Sequence, residues 1–307
     1  MGPTASGKTS LSIMLAGQFP LGIISVDSAM VYRGLDIGTA KPRAKVLRKI
    51  SHRLINICDP SRPYSVGQFY KDALREIKAI HAKNHIPLLV GGTMLYFSIL
   101  QRGFSDLPIA DENIRKKIQL KADTKGWPVL YKKLKKIDPA SAARINPNDA
   151  QRMKRALEVY EITGQPLSYC QIANRFNALP YNFVNLIIAP KDREFLHQRI
   201  EERFDQMLKN NFLGEVKKLY QRNDLHTDFP AIRTVGYRQM WQYLSGEYSL
   251  EDMRHKAIVA THQLARRQLT WLRRWPESKW FNSEDENLMN SIVHYLNKKY
   301  HFPSCTF

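Results

Sequence analysis

Gly2-Pro3-Thr4-Ala5-Ser6-Gly7-Lys8-Thr9 fills every position of the pattern G-x-x-x-x-G-K-[ST]. Such a run binds phosphate. Its glycines let main-chain N–H groups converge on phosphate oxygens, its lysine adds charge, and the helix behind it adds the positive end of a dipole. Gly2, Thr4, Ala5, Ser6, Gly7, Lys8 and Thr9 form the candidate phosphate-binding set, and the Thr9 hydroxyl is placed to ligate Mg²⁺. A plain glycine-rich turn is the bland alternative. A nucleotide hydrolase also needs an acid closing a buried strand, to hold Mg²⁺ or orient water. The apolar run 86–90 ends in Gly91-Gly92-Thr93 without one, whereas the run 22–26 ends in Asp27. If both are parallel strands, both ends face the crevice of the loop. Asp27 is then free to act as a general base. Beside Ser28 it reads equally as a turn or helix cap.

These groups need a scaffold, and the pattern supplies one. A helix is expected over 9–19, buried strands over 22–26, 52–58 and 86–90, and a helix from the Ser65/Gln68 capping box to about Asn84. This is the βαβ rhythm of a doubly wound sheet. After about Asp106 the character changes. Residues 111–182 carry 14 Lys/Arg against 7 Asp/Glu, a net of +7, with a helix over 148–162 closed by Gly164. The run 184–189 reads as a strand rejoining the sheet, and long helices follow over 192–210 and 250–274. The chain is expected to be an α/β protein. Residues 1–110 and 183–307 form a P-loop parallel sheet with flanking helices, and 111–182 form an inserted, basic, all-helical domain. A P-loop ordinarily follows a strand. Only Met1 precedes Gly2, so the first strand is expected to be missing, with further apolar residues upstream in the full-length protein.

The 307 residues are 43% hydrophobic, which suits a packed core, and no run of 18 apolar residues marks a membrane span. The first residues do not read as a signal peptide. Cys58, Cys170 and Cys305 match no zinc or redox spacing, which points to a reducing cytoplasm. Lys and Arg number 47 against 28 acids, a net of +19. That favours a polyanionic partner, nucleic acid first, over a merely basic soluble protein. Arg152 and Arg155 share a helix face, Arg233 and Arg238 flank a Gly-Tyr pair, and Arg266, Thr270 and Arg273 share a face near Trp271 and Trp275. Arginines suit bidentate phosphate contacts and aromatics stack on exposed bases. Each segment alone also reads as a solvated helix face.

Together these residues resemble the tRNA dimethylallyltransferase family. The resemblance rests on 2–9, on the run from Asp27 to Pro42, on Val90-Gly91-Gly92-Thr93-Met94-Leu95-Tyr96, Gln151-Arg152, Val235-Gly236-Tyr237-Arg238-Gln239 and Arg267-Gln268-Leu269-Thr270-Trp271-Leu272-Arg273. They run in family order over nearly the whole chain. The resemblance implies transfer of a dimethylallyl group from dimethylallyl pyrophosphate to N6 of the adenine next to the anticodon, in tRNAs reading U-initial codons. The P-loop would then hold the donor's pyrophosphate rather than ATP, with Mg²⁺. The tail carries only Cys305, so the chain resembles the bacterial form, which lacks a C-terminal zinc finger.

The resemblance further implies catalytic roles for Asp27, Thr93 and Arg233: Asp27 as base, Thr93 bonding near the reacting atoms, and Arg233 on the departing pyrophosphate. It implies tRNA contacts from Asp27, Ser28, Ala29, Met30, Thr93 and Arg115. It adds Gln151, Arg152, Met153, Lys154 and Arg155, then Arg233, Thr234, Val235, Gly236, Tyr237 and Arg238. Arg266, Arg267, Gln268, Leu269, Thr270, Trp271, Leu272 and Arg273 complete the set. The partner is the anticodon stem-loop, with a monomer expected and no membrane. No apolar wall selecting a five-carbon tail is marked in the sequence. A small-molecule P-loop kinase would need no +19 charge. A nucleic-acid-dependent ATPase would need the acid that Val90 lacks after it. A bare RNA-binding module would not need an intact Lys8-Thr9.

Overall fold

The computed structural model describes residues 1–173 and 178–300; Cys305 lies outside the described residues. The chain divides into two compact units, Met1–Phe97 with Asn182–Phe307, and Ser98–Tyr181.

The first unit starts with helix α1 (Lys8–Gln18), strand β1 (Leu21–Val26), helix α2 (Ala44–Lys49) and strand β2 (His52–Arg53). Helix α3 (Val66–His81), strand β3 (Ile86–Gly91) and helix α4 (Met94–Arg102), which runs across the unit boundary, follow. β1 is apolar and β-branched, and its last four residues are buried, as a central parallel strand requires. The sheet order is β2-β1-β3, all parallel. Val26 pairs with Gly91, so β1 and β3 end level and Asp27 and Gly92 emerge at the same edge. The Ser65/Gln68 capping box forms in both directions: Gln68 N donates to Ser65 Oγ at 3.1 Å and Ser65 N to Gln68 Oε1 at 2.7 Å. The strand expected over 52–58 is cut to two residues. Leu54 and Asn56 take left-handed φ of 62° and 57°, which ends the extended run. The chain then returns to bond Val31 O through the N–H groups of Ile57 and Cys58.

The second unit holds α5 (Glu112–Lys125), α6 (Trp127–Ile137), α7 (Pro139–Arg144), α8 (Ala150–Thr163) and α9 (Leu167–Ala173). Leu134, Met153, Ala156 and Leu157 form its core. It begins at Ser98 rather than at 111, because the preceding residues are tied to it. Leu179 N donates to Leu100 O at 3.3 Å, and Ser105 Oγ to Gln171 O at 2.6 Å.

Back in the first unit are β4 (Asn185–Ala189), α10 (Arg193–Lys209), α11 (Phe212–Tyr220), α12 (Tyr237–Leu244), α13 (Leu250–Arg273), β5 (Ser278–Asn282) and α14 (Leu288–Tyr300). β4 does not rejoin β1–β3 as expected. It pairs with β5 in a separate two-stranded parallel sheet. On its other edge β4 meets the main chain of Met1, whose nitrogen donates to Leu186 O at 2.8 Å and whose carbonyl accepts from Ile188 N at 2.9 Å. No strand precedes α1 among the described residues. The loop's helix is anchored by packing instead: Leu11 and Leu15 of α1 share a core with Ile188 of β4 and with Ile292 and Leu296 of α14. Each such buried leucine contributes about 1.5–3 kcal/mol.

Candidate active site

The P-loop wraps the N-terminus of α1. Gly7, the N-cap, has φ 77°, a conformation a side chain resists, and no side chain caps the helix. The first-turn N–H groups therefore point at the place of an anion. Lys8 curls onto its own loop, donating from Nζ to Pro3 O and, at 3.4 Å, to Ser6 Oγ. Burial lowers its pKa to about 7, the nearby Arg203 charge adding to the fall and Asp27 opposing it.

The loop stands between two cavities. One, of about 620 Å³, is lined by Ser6, Gly7, Lys8 and Thr9. The other, of about 570 Å³, is lined by Ser28, Thr93, Arg233, Arg267 and Trp271. Thr4, Ala5, Asp27, Thr39, Gly92, Arg203, Leu264 and Gln268 line both, so the two spaces adjoin along a shared wall that includes Asp27.

The Asp27 carboxylate does two things. Oδ1 accepts from the N–H groups of Ala29 at 2.8 Å and Met30 at 3.2 Å, the turn-capping role the sequence left open. Oδ2 makes neither bond and is left for the cavity. Thr93 accepts at Oγ1 from Ser28 N at 3.1 Å, and its own N–H reaches Val26 O, so it fixes the strand end that carries Asp27. Gln268 clamps the loop to that same edge. Its Oε1 accepts from Thr4 N at 2.8 Å and its Nε2 donates to Gly92 O at 2.9 Å. A Cβ on Gly92 would stand 2.3 Å from Gln268 Nε2, so any larger residue there would push the Gln268 amide out of its clamp.

The structure gathers the expected site residues selectively. Ser28, Ala29, Thr93, Arg233, Thr234, Val235, Gly236, Arg267, Gln268 and Trp271 line the second cavity, where Trp271 is 43% exposed. Arg233 lines that cavity and not the one that holds Lys8. Arg238, Arg266, Thr270 and Arg273 are exposed, while Leu269 is partly buried. Tyr237 and Leu272 are core residues of this unit, and Met153 of the other. In the second unit, Gln151 and Arg152 are exposed on the first turn of α8. Lys154 donates to Gln119 Oε1. Arg115 and Arg155 converge on the buried Glu158 at 2.8 Å each.

Two residues escaped the sequence reading. Arg203, on α10, is half-buried and lines both cavities; desolvation lowers its pKa, with Asp27 opposing. Its contacts are long, 3.4 Å to Thr4 Oγ1 and 3.4 Å to Thr39 O, and no carboxylate pairs with it among the described residues. The sequence did hold a signal. Arg203 falls on the stripe of Leu196, Ile200 and Met207, an arginine set among apolar residues at helical spacing. Glu215, on α11, accepts from the N–H groups of Asp36, Ile37 and Gly38 and from Tyr237 Oη, holding the loop that presents Thr39. Nothing local marks a contact spanning some 180 residues.

A P-loop whose strand-end acid sits on the neighbouring strand, with a second cavity beyond it, is the arrangement to compare with known proteins. The sequence profile of one family, IPP transferase, matches residues 30–275. The chain belongs to the IPP transferase family. The tRNA dimethylallyltransferase of Coxiella burnetii (strain CbuG_Q212) is 71% identical over 296 residues, covering 96% of this chain and 98% of its own. Among solved structures, the full-length tRNA isopentenylpyrophosphate transferase of Bacillus halodurans is 37% identical with a TM-score of 0.69, over 98% of this chain and 96% of that one. A eukaryotic dimethylallyltransferase described as acting on tRNA is 27% identical with a TM-score of 0.80, over 99% of this chain and 79% of that one. These likenesses favour an IPP transferase over the kinase and ATPase alternatives.

Proposed function

We propose that this chain transfers a dimethylallyl group from dimethylallyl pyrophosphate to N6 of the adenine adjacent to the anticodon, in tRNAs reading U-initial codons, and releases pyrophosphate. The observation that carries the reading is the shared wall of the two cavities, which includes Asp27, one cavity built for an anion and one open enough for a base. The donor's pyrophosphate would rest on the amides of 4–9, with Lys8 and Arg203 neutralising it. The residues present fit Mg²⁺ only as a partner of the substrate. No group of three or more His, Cys, Asp or Glu among the described residues gathers to hold an ion, so Thr9 would bind it together with pyrophosphate oxygens. When bound, that ion supplies further charge on the leaving group.

The chemistry balances without a redox partner. The N6 lone pair forms a bond to C1 of the donor as the C1–O bond breaks, and its electron pair leaves with pyrophosphate. The proton lost from N6 passes to Asp27 and then to solvent. An exocyclic amine is a weak nucleophile, so positioning and leaving-group stabilisation dominate. The target base must be extruded from the anticodon loop to reach Asp27. Trp271 and the arginines around the second cavity suit a stacked base and its phosphates, and Gln151 and Arg152 give the helical unit its own contact to the stem-loop. One chain holds both cavities, so a monomer suffices. No helix among the described residues is long and apolar enough to cross a membrane, and the free Cys58 and Cys170 suit a reducing cytoplasm.

The test mixes the protein, Mg²⁺, unmodified tRNA and labelled dimethylallyl pyrophosphate. Label is expected in the tRNA at that adenine, with ATP unconsumed in a parallel reaction. Consumption of ATP with no label in tRNA would overturn the proposal.

A further inference from the structure

The two cavities divide the segment that follows β1. Asp27 lines both, Ser28 and Ala29 line only the second, and Met30 lines only the first. The Met30 side chain turns away from its neighbours: its sulfur lies 3.9 Å from Ser25 Oγ, back over the face of β1. Its main chain is pinned there, because Met30 N donates to Asp27 Oδ1 at 3.2 Å. Ile23, Ser25 and Asp27 alternate along β1, share one face, and all line the first cavity. Ile55 and Val90 line it as well. The space therefore continues from Asp27 over Ser25 toward Ile23, about 13 Å back along the strand at ~3.3 Å per residue. That trough is longer than a five-carbon tail, so the floor alone sets no stop.

We propose that Met30 is the specificity-determining residue for prenyl length, its thioether closing the trough at Ser25 so that a five-carbon tail fits and a ten-carbon tail does not. This rests on the donor reading above. With the pyrophosphate at the loop and C1 beside Asp27, the tail has an apolar course along the β1 face, and Met30 is the side chain laid across it. A flexible, polarisable methionine can close over the short tail in the way a rigid branched residue cannot. Met30 then serves the donor rather than the tRNA, in contrast to Ser28 and Ala29.

The experiment compares kcat/KM for dimethylallyl and geranyl pyrophosphate on the same tRNA, in the wild type, Met30→Ala and Met30→Phe. Met30→Ala is expected to raise the geranyl-to-dimethylallyl ratio by about tenfold or more, the discrimination that one or two methylenes carry in an apolar pocket. Met30→Phe is expected to raise KM for dimethylallyl pyrophosphate, with the Kd for tRNA unchanged in both variants. An unchanged ratio in Met30→Ala, or a weakened tRNA Kd with the ratio unmoved, overturns the proposal. Should a variant lose turnover, calorimetry with the unreactive thiolodiphosphate analogues of both donors reads the same ratio without tRNA. If the wild type binds neither analogue, the donor reading itself fails. If it binds the five-carbon analogue and Met30→Ala leaves the preference unmoved, only the Met30 assignment fails.

Discussion

Each compact unit buries charge, and they do so in opposite ways. In the helical unit, Glu158 is fully buried and accepts from Arg115 Nε at 2.8 Å, Arg155 Nη1 at 2.8 Å and Asp111 N at 2.9 Å. Burial alone would raise its pKa, but the Arg155 and Arg115 donors outweigh it and hold the carboxyl below its ordinary value. In the P-loop unit, Arg203 is half-buried against the cavities without a carboxylate partner among the described residues, and Asp27 Oδ2 makes neither of the turn's bonds. A buried charge with its lone pairs and protons satisfied is structure. A half-buried cation left beside an anion-shaped loop costs stability and is retained where a ligand completes it.

The largest effect separating the two is on turnover. Asp27→Asn keeps the acceptor oxygen that caps Ala29 and Met30 while removing the base. Single-turnover transfer should fall about 10²–10⁴-fold, the usual contribution of a general base, with tRNA binding and the urea midpoint unchanged. Retained turnover in Asp27→Asn together with loss in Asp27→Ala would assign Asp27 to the turn alone. Glu158→Ala should do the reverse. It leaves two arginines facing an apolar core, and because both reach water the loss should be about 2–3 kcal/mol, below the figure for a fully buried pair. Urea unfolding would show it, with the KM for the donor unmoved.

Arg203→Met tests the comparison from the other side. Removing an unpaired, half-buried cation should leave stability unchanged or slightly higher. Donor affinity should fall by about 1.5–3 kcal/mol, the range for hydrogen bonds to charged groups. A destabilised protein with an unchanged donor Kd would place Arg203 with Glu158 as a structural charge. The matching substitution of Arg233, which stands in the second cavity, should weaken tRNA rather than the donor.

How much of this was legible in the sequence follows from the range of each interaction. The P-loop, the Ser65/Gln68 box and the helix closed by Gly164 are set by neighbours a few residues apart, and all form. Asp27 was legible only as the acid closing an apolar run, a local feature; that β3 ends level with it is a matter of strand pairing. The strand over 52–58 was misread because left-handed Leu54 and Asn56 carry no glycine to announce the turn. β4 was assigned to the wrong sheet because pairing partners are chosen by tertiary contacts, not by the strand's own pattern. Gln268 was legible as a polar residue among arginines, but not as the clamp between Thr4 and Gly92, which are far from it in sequence. Arginine density marks 266–273 in the sequence, whereas the signal of Arg203 is only its place on a helix face.

The last contrast is in how the two regions respond to pH. Glu158, held below its ordinary pKa by its arginine donors, stays charged at neutral pH and above. Lys8 changes charge there, because burial and Arg203 bring its pKa to about 7 in the free protein. At pH 8 it is then mostly neutral, and a pyrophosphate placed against it favours the charged form and raises its pKa. Binding must therefore take up a proton. Calorimetry at pH 8 in buffers of different ionisation enthalpy should record net proton uptake, falling toward zero below pH 6, where Lys8 is charged before binding. Affinity should weaken as pH rises through 7, by up to about tenfold per unit, until the raised pKa of the complex is reached. Lys8→Arg should abolish the uptake, since a guanidinium stays charged throughout. Pyrophosphate binding without proton uptake in the wild type would mean that Lys8 is already charged in the free site, its loop carbonyl and Ser6 hydroxyl sufficing to hold it so.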